Sequence, residues 1–309
     1  MTSPKDINNH NSDHAIAGAI SGFSTRLICQ PLDVIKIRFQ LQVEPISHRY
    51  LGKYKSFLHA TSTIIKEEGV LALWKGHVPA QLLSISYGMI QFYSYKKIVY
   101  LINDVPNSNN WQHSTHFIAG AIAGTFATAA SFPFDTARTR LVAQSSRYQV
   151  YSGIFSCYES ILKTESVRAL FRGLLPTLVQ IIPYTGTQFL LYNLFTNIYK
   201  KMTDESEISV TNSMLSGSAS GLVAKTVVYP LDLARKRLQI QGFEHGRQGF
   251  GKFFTCNGFV DCVLRTIEQE RFLGLFKGLI PSQTKATVTS ALYFTFYEQA
   301  CILLRYLRS

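Results

Sequence analysis

Acidic residues are scarce in this sequence: 19 Asp and Glu stand against 31 Lys and Arg, for a formal net charge of +12. Charged residues of both signs reach only 16%, well below the roughly 25% of soluble domains. That shortfall argues against two ordinary soluble domains, which a length of 309 residues would otherwise allow. Cysteine is sparse as well. Cys29, Cys157, Cys256, Cys262 and Cys301 are odd in number and hold no CxxC spacing, so neither a disulfide framework nor a zinc site is expected. The chain lacks a P-loop, an HExxH and a Ser/His/Asp spacing. His113 and His116 have no third ligand, and Gly246, Gly249 and Gly251 follow no strand pattern. Enzyme chemistry, metal and cofactor are therefore not expected. The first 13 residues contain one basic residue, Lys5, and no apolar core. They resemble neither a secretory signal nor an arginine-rich transit peptide, so an organellar address would lie inside the folded chain.

What is present is apolar and aromatic. Hydrophobic residues make up 46% and aromatics 13%, yet mean hydropathy is only +0.07. That combination suits helices with lipid on one side and a watery, polar cavity on the other. The basic excess fits anionic ligands or anionic lipid. Nucleic acid fits less well, because the basic residues recur at fixed places instead of gathering on one polar face.

The recurrence is the strongest signal. Pro31, Asp33, Lys36 and Arg38 return as Pro133, Asp135, Arg138 and Arg140, then as Pro230, Asp232, Arg235 and Arg237. Gln42, Gln144 and Gln241 follow at a constant distance from each proline. A second signature trails each first one: Glu68 with Trp74-Lys75-Gly76, Glu165 with Phe171-Arg172-Gly173, and Glu270 with Phe276-Lys277-Gly278. Two independent motifs in three ordered copies define repeats of about 100 residues, placed at 10–103, 111–202 and 208–307. Each repeat carries an apolar run into its proline (14–41, 114–143, 211–240) and another after its glycine (78–101, 175–201, 280–305). At 1.5 Å per residue each run is long enough to cross a hydrocarbon layer of about 30 Å. A short amphipathic stretch separates them, near 54–68, 153–164 and 258–269. The expected fold is an all-α membrane protein of six transmembrane helices in three pseudo-threefold repeats, with short helices between. Gly18/Gly22, Gly120/Gly124 and Gly217/Gly221 are small-xxx-small pairs, expected to let helix backbones approach closely.

A proline inside a helix removes one hydrogen bond and bends it. Three bent helices then converge at their proline ends. Asp and the basic residue three positions on share a helix face. Convergence sets each Asp beside a neighbour's basic residue, which predicts a closed ring of three salt bridges: Asp33, Lys36, Asp135, Arg138, Asp232 and Arg235. Such a ring costs energy to break and can act as a gate.

The pattern proline–x–acid–x–x–basic–x–basic, followed by an acid and aromatic–basic–Gly, three times over, resembles the mitochondrial carrier family. The resemblance runs from about residue 14 to 305. It implies a monomeric bundle in the mitochondrial inner membrane, whose central cavity opens alternately to either side. It also implies that the Asp–basic ring closes the matrix side, braced by Gln40 and Gln239, with Val142 standing where a third brace is missing. The triplets Lys75-Gly76, Arg172-Gly173 and Lys277-Gly278 correspond to cardiolipin sites, where helix N-termini hold lipid phosphate. The cytoplasmic gate is eroded: its positions are Lys96, Asn193 and Glu298, and no acid there has a basic partner in place.

Threefold structure must repeat, whereas a small asymmetric cargo needs residues that differ between repeats. Five residues before each proline stand Arg26, Thr128 and Lys225, about 7.5 Å above the bend. The family's contact points correspond to Leu83, Gln180 and Lys285, with neighbours Ser84 and Ile181. Further rings hold Tyr87, Tyr184 and Thr289, and Gln91, Gln188 and Tyr293. Arg26, Lys225 and Lys285 read as three unpaired cations that fit a di- or triphosphate, with Tyr87 and Tyr184 as platforms for a heteroaromatic ring. Resembling stretches at Asp33–Gln42, Trp74–Gln81 and Gly242–Arg247 imply thiamine pyrophosphate as cargo, exchanged against nucleotides. Adenine nucleotides or coenzyme A would suit the same cations. A lipid-binding or proton-leak protein on the same fold is the alternative of another class, and the lack of an acidic relay speaks against proton conduction.

Overall fold

A computed structural model describes residues 4–44, 52–103, 112–145, 149–203, 210–243, 246 and 254–308. The described residues are helical, with no strand among them. The first repeat holds α1 (Pro4–Leu41), α2 (Phe57–Glu68) and α3 (His77–Asn103). The second holds α4 (Gln112–Ala143), α5 (Ile154–Thr164), α6 (Leu174–Val179) and α7 (Ile181–Thr203). The third holds α8 (Val210–Val227), α9 (Tyr229–Gln239), α10 (Phe259–Glu270) and α11 (Leu279–Arg308). One 3₁₀ turn follows each of α2, α5 and α10, at Val70–Trp74, Val167–Phe171 and Phe272–Phe276.

The prolines act unequally. α1 and α4 run on through Pro31 and Pro133, but the third repeat breaks at Val228. There, three β-branched residues, Thr226, Val227 and Val228, precede Tyr229-Pro230. Their low helix propensity adds to the hydrogen bond that the proline removes. A second break, not expected from the apolar run 175–201, separates α6 from α7 at Gln180. Pro183 cannot donate to the carbonyl of Val179, four residues back.

The long helices close into a ring: α3 packs along α4, α7 along α8, and α11 returns to α1. At the proline ends α1, α4 and α9 also meet one another, and the main buried cluster lies there, with Ile35, Ile37, Ile64, Val142 and Ile161. The opposite ends of the long helices carry small buried residues in place of a core. Ala17, Ser21 and Thr25 form one such seam, Ala119, Ala123 and Ala127 a second, and Ser220 and Ala224 a third. This corrects the expectation for the glycine pairs. The close-packed stripe lies one residue away from glycine in each first helix, and one residue turns a helix by about 100°. Gly22 and Gly120 face open space, while Gly18 and Gly124 lie against the hydroxyls of Tyr293 and Tyr87, each 3.8 Å from the place a Cβ would occupy.

No helix among the described residues is long and apolar enough by itself to qualify as a plain membrane span.

Candidate functional site

The ring of charges forms between repeats. Arg138 meets Asp33 at 2.5 Å, Arg235 meets Asp135 at 2.6 Å, and Lys36 meets Asp232 at 2.7 Å. Each aspartate therefore holds the basic residue of a neighbouring repeat, and the three pairs cross the bundle where the proline-bearing helices converge. Gln239 donates to Asp135 Oδ2 at 2.6 Å. Gln40 donates to the Tyr229 hydroxyl at 3.1 Å and to Asp232 at 3.4 Å. Val142 is fully buried and packs against Gly76.

A second cation joins each aspartate. Lys285 Nζ lies 2.6 Å from Asp33, Lys225 Nζ 3.4 Å from Asp232, and Lys236 Nζ 2.9 Å from Asp135. This overturns the reading of Lys225 and Lys285 as unpaired. Lys225, at the end of α8, reaches Asp232 at the start of α9 across the break at Val228. Lys285 reaches Asp33 because α11 lies along α1. Arg26 differs: its Nη1 donates to the Ala80 carbonyl at 2.9 Å, and no carboxylate among the described residues is in ion-pair range.

Below the ring lies a second threefold set, which joins the two repeated motifs. Arg38, Arg140 and Arg237 are almost wholly buried. Arg38 pairs with Glu68 at 2.6 Å, Arg237 with Glu270 at 2.6 Å, and Arg140 with Glu165. The same guanidinium groups donate across to the next repeat: Arg38 to the Val142 carbonyl, Arg140 to Gln239 and Arg237 to Gln40. Burial would raise the Glu68 carboxyl, but Arg38 and Lys75 outweigh it and hold it at about 2. The stabilisation from Glu68 is thus fully present above its ordinary value of 4.5 and fades as pH falls toward 2. The signal was available, since this arginine and this glutamate are each present three times at fixed spacing.

The aromatic–basic–Gly triplets close the same layer. Lys75 pairs with Glu68 at 2.6 Å, Arg172 with Glu165 at 2.6 Å, and Lys277 with Glu270. Their cations are therefore engaged with carboxylates, not free. Gly76, Gly173 and Gly278 have φ of 75°, 90° and 83°, a region that side chains avoid. A Cβ would come within 3.1 Å of the Arg138 carbonyl, 2.8 Å of Arg235 and 3.1 Å of Lys36. Gly173→Ala is expected to destabilise the folded protein by more than about 1 kcal/mol, because strain and collision add. A thermal midpoint equal to wild type would show that the backbone there can move.

Two cavities lie above the ring and share Arg26 and Ser84. The larger, about 580 Å³, is lined by Arg26, Asp33, Ser84, Lys285, Thr289 and Tyr293, together with Gly18 and Gly22. The smaller, about 380 Å³, has Arg26, Leu83, Ser84, Tyr87, Gln180 and Ile181 in its wall, and reaches Asp135 and Arg235 at its floor. The structure thus brings together Arg26, Lys285, Leu83, Ser84, Gln180, Ile181 and Tyr87. Lys225, Gln91, Tyr184 and Gln188 lie outside both linings. The Gln188 amide sits against Gly221. At the far end Lys96, Asn193 and Glu298 are exposed, and neither Lys96 nor Glu298 is in an ion pair among the described residues. The side chain of His113, and residues Glu244, His245, Arg247, Gly249 and Gly251, lie outside what the structure describes.

The chain is therefore a threefold helical bundle, shut at one end by charge pairs, with a cationic cavity behind them. The family model described as "Mitochondrial carrier protein" matches residues 8–105, 110–203 and 206–306. The chain belongs to the mitochondrial carrier family. Members of this family are transporters, so it is a carrier and not an enzyme. It is 40% identical over 301 residues to the mitochondrial thiamine pyrophosphate carrier of Homo sapiens, covering 96% of this chain and 94% of the relative. The protein of that name from Macaca fascicularis matches at 40%, again over 96% and 94%. The mitochondrial thiamine diphosphate carrier 1 of Arabidopsis thaliana is 37% identical, covering 93% of this chain and 92% of the relative.

Proposed function

We propose that this mitochondrial carrier exchanges thiamine pyrophosphate for nucleotides across the inner membrane, by alternating access and as a monomer. The observation that carries the reading is the joint presence of Arg26 and Lys285 in one cavity above a closed ring. A pyrophosphate is a chelating anion, and two cations on different helices can each take one of its phosphates. The names of the relatives supply the rest of the cargo. Six long segments (α1, α3, α4, α6–α7, α8–α9 and α11) cross the bilayer in this reading. Phe92, Phe126, Phe189, Leu190 and Phe294 are each more than half exposed, an arrangement that suits lipid and not water.

In the same reading the ring is the matrix gate, which is closed in this structure. The positions Lys96, Asn193 and Glu298, which form no charge ring here, belong to the cytoplasmic gate and are open in this state. The helix N-termini after Gly76, Gly173 and Gly278 bind cardiolipin phosphate through backbone N–H groups. A cleft of about 530 Å³ beside Lys277 and Gly278, walled by Phe39, Phe57 and Phe276, gives acyl chains a place to lie.

The deciding measurement is uptake of labelled thiamine pyrophosphate into proteoliposomes preloaded with nucleotides. Uptake that depends on the internal nucleotide is expected, and none with either loaded or empty vesicles would refute the reading. The gate has its own test. Asp135 holds Arg235, Lys236 and Gln239 together. Asp135→Asn should shift the balance toward matrix-open forms for every cargo. An inhibitor selective for the matrix-open form should then raise the unfolding temperature more in the variant than in wild type. Equal shifts would count against the gate.

A further inference from the structure

Thiamine pyrophosphate has two ends of opposite sign, and Arg26 and Lys285 account for one of them. A thiazolium cation needs an anion or an aromatic face. The larger cavity supplies no spare anion: its one carboxylate, Asp33, is taken by Arg138 and Lys285. It does supply an aromatic face. Tyr293 lines the cavity and is 40% exposed. Its ring stacks on Tyr297 with centroids 6.4 Å apart and planes within 10°, which fixes its orientation.

We propose that Tyr293 recognises the cargo's cationic ring by a cation–π contact, and that Gly22 is kept without a side chain to leave that ring its space. The inference rests on the proposed cargo. Lys285 and Tyr293 lie eight residues apart on α11, about 12 Å along its axis. One wall of the cavity thus offers a cation near its floor and an aromatic ring two turns above. Gly22 lines the same cavity from α1, and a Cβ there would meet nothing within 4 Å. The space beside Gly22 is open. The expected platforms Tyr87 and Tyr184 are less well placed. Tyr87 shares its cavity with Arg26 but not with Lys285, and Tyr184 lines neither cavity.

The geometry also separates candidate cargos. A π face attracts a cation more than a neutral ring of equal size. Adenine is uncharged at neutral pH, so removing the face should cost a nucleotide less than it costs thiamine pyrophosphate. The contact is worth about three- to thirtyfold in affinity.

The experiment is competition against labelled thiamine pyrophosphate, using the full chain in proteoliposomes, with unlabelled thiamine pyrophosphate and inorganic pyrophosphate as competitors. Tyr293→Leu should weaken thiamine pyrophosphate by that factor and leave inorganic pyrophosphate unchanged, while Tyr293→Phe stays at wild-type values. Gly22→Leu fills the space from the other wall and should give the same selective loss. Its backbone is helical and unstrained, so this variant keeps the test open if Tyr293→Leu does not fold. Parallel weakening of both competitors, or no change in either, overturns the inference. A wild-type protein that takes up no thiamine pyrophosphate overturns the cargo reading first and this inference with it.

Discussion

Lys285→Ala is expected to raise the half-saturation for thiamine pyrophosphate about ten- to fiftyfold, with the fold intact. A charge-assisted contact to phosphate inside a cavity is worth roughly 1.5–3 kcal/mol, about ten- to more than a hundredfold. The lower half of that range applies here, because Lys285 already has an anionic partner. It lies 2.6 Å from Asp33, and cargo must compete with that carboxylate. Arg26, whose described partner is only the Ala80 carbonyl, gives up less on meeting phosphate. Arg26→Ala should therefore cost at least as much. Removing Lys285 still leaves Asp33 paired with Arg138, so the ring persists and the unfolding temperature should move little. Lys285→Arg keeps the charge and should recover most of the affinity. Initial uptake rates over a concentration series decide the matter. Wild-type half-saturation in both alanine variants would remove the two residues from the cargo site.

Glu165→Gln should do the reverse, acting on stability instead of selectivity. Arg140 is fully buried, and Glu165 is the carboxylate that meets it and also takes Arg172. Deleting one partner of a buried ion pair leaves an uncompensated charge, at a cost of about 3–5 kcal/mol. That is a large share of the 5–15 kcal/mol that holds most domains folded. The variant should unfold at a much lower temperature or fail to accumulate. The exposed pair Lys163–Glu159, with side chains 72% and 63% accessible, provides the contrast. Losing it should leave the unfolding temperature close to that of wild type, because water screens both charges. A double-mutant cycle on Arg140 and Glu165 should show coupling well above that of the exposed pair. Equal midpoints for Glu165→Gln and Lys163→Ala would mean that water reaches Arg140.

Sequence by itself determined the three repeats, the helical class and the family, because each depends on residue identities that recur at fixed spacing. Pro31, Pro133 and Pro230 with their aspartates and basic residues need no coordinates to be matched, and neither do Glu68, Glu165 and Glu270. A ring that joins each Asp to a neighbouring repeat was legible too, but which neighbour supplies each cation came from the structure. Tertiary structure decided whatever depends on two helices from distant parts of the chain. Lys285 reads as a free cation until α11 is laid beside α1, where Asp33 receives it. Arg38, Arg140 and Arg237 are only recurring motif positions until the short helices fold under the bundle and bury them. The close-packed seams through Ala17, Ala123 and Ala224 lie one residue away from the glycines that drew attention in the sequence. Spacing along one helix fixes which residues share a face, but the direction of that face is set by the neighbour it packs against.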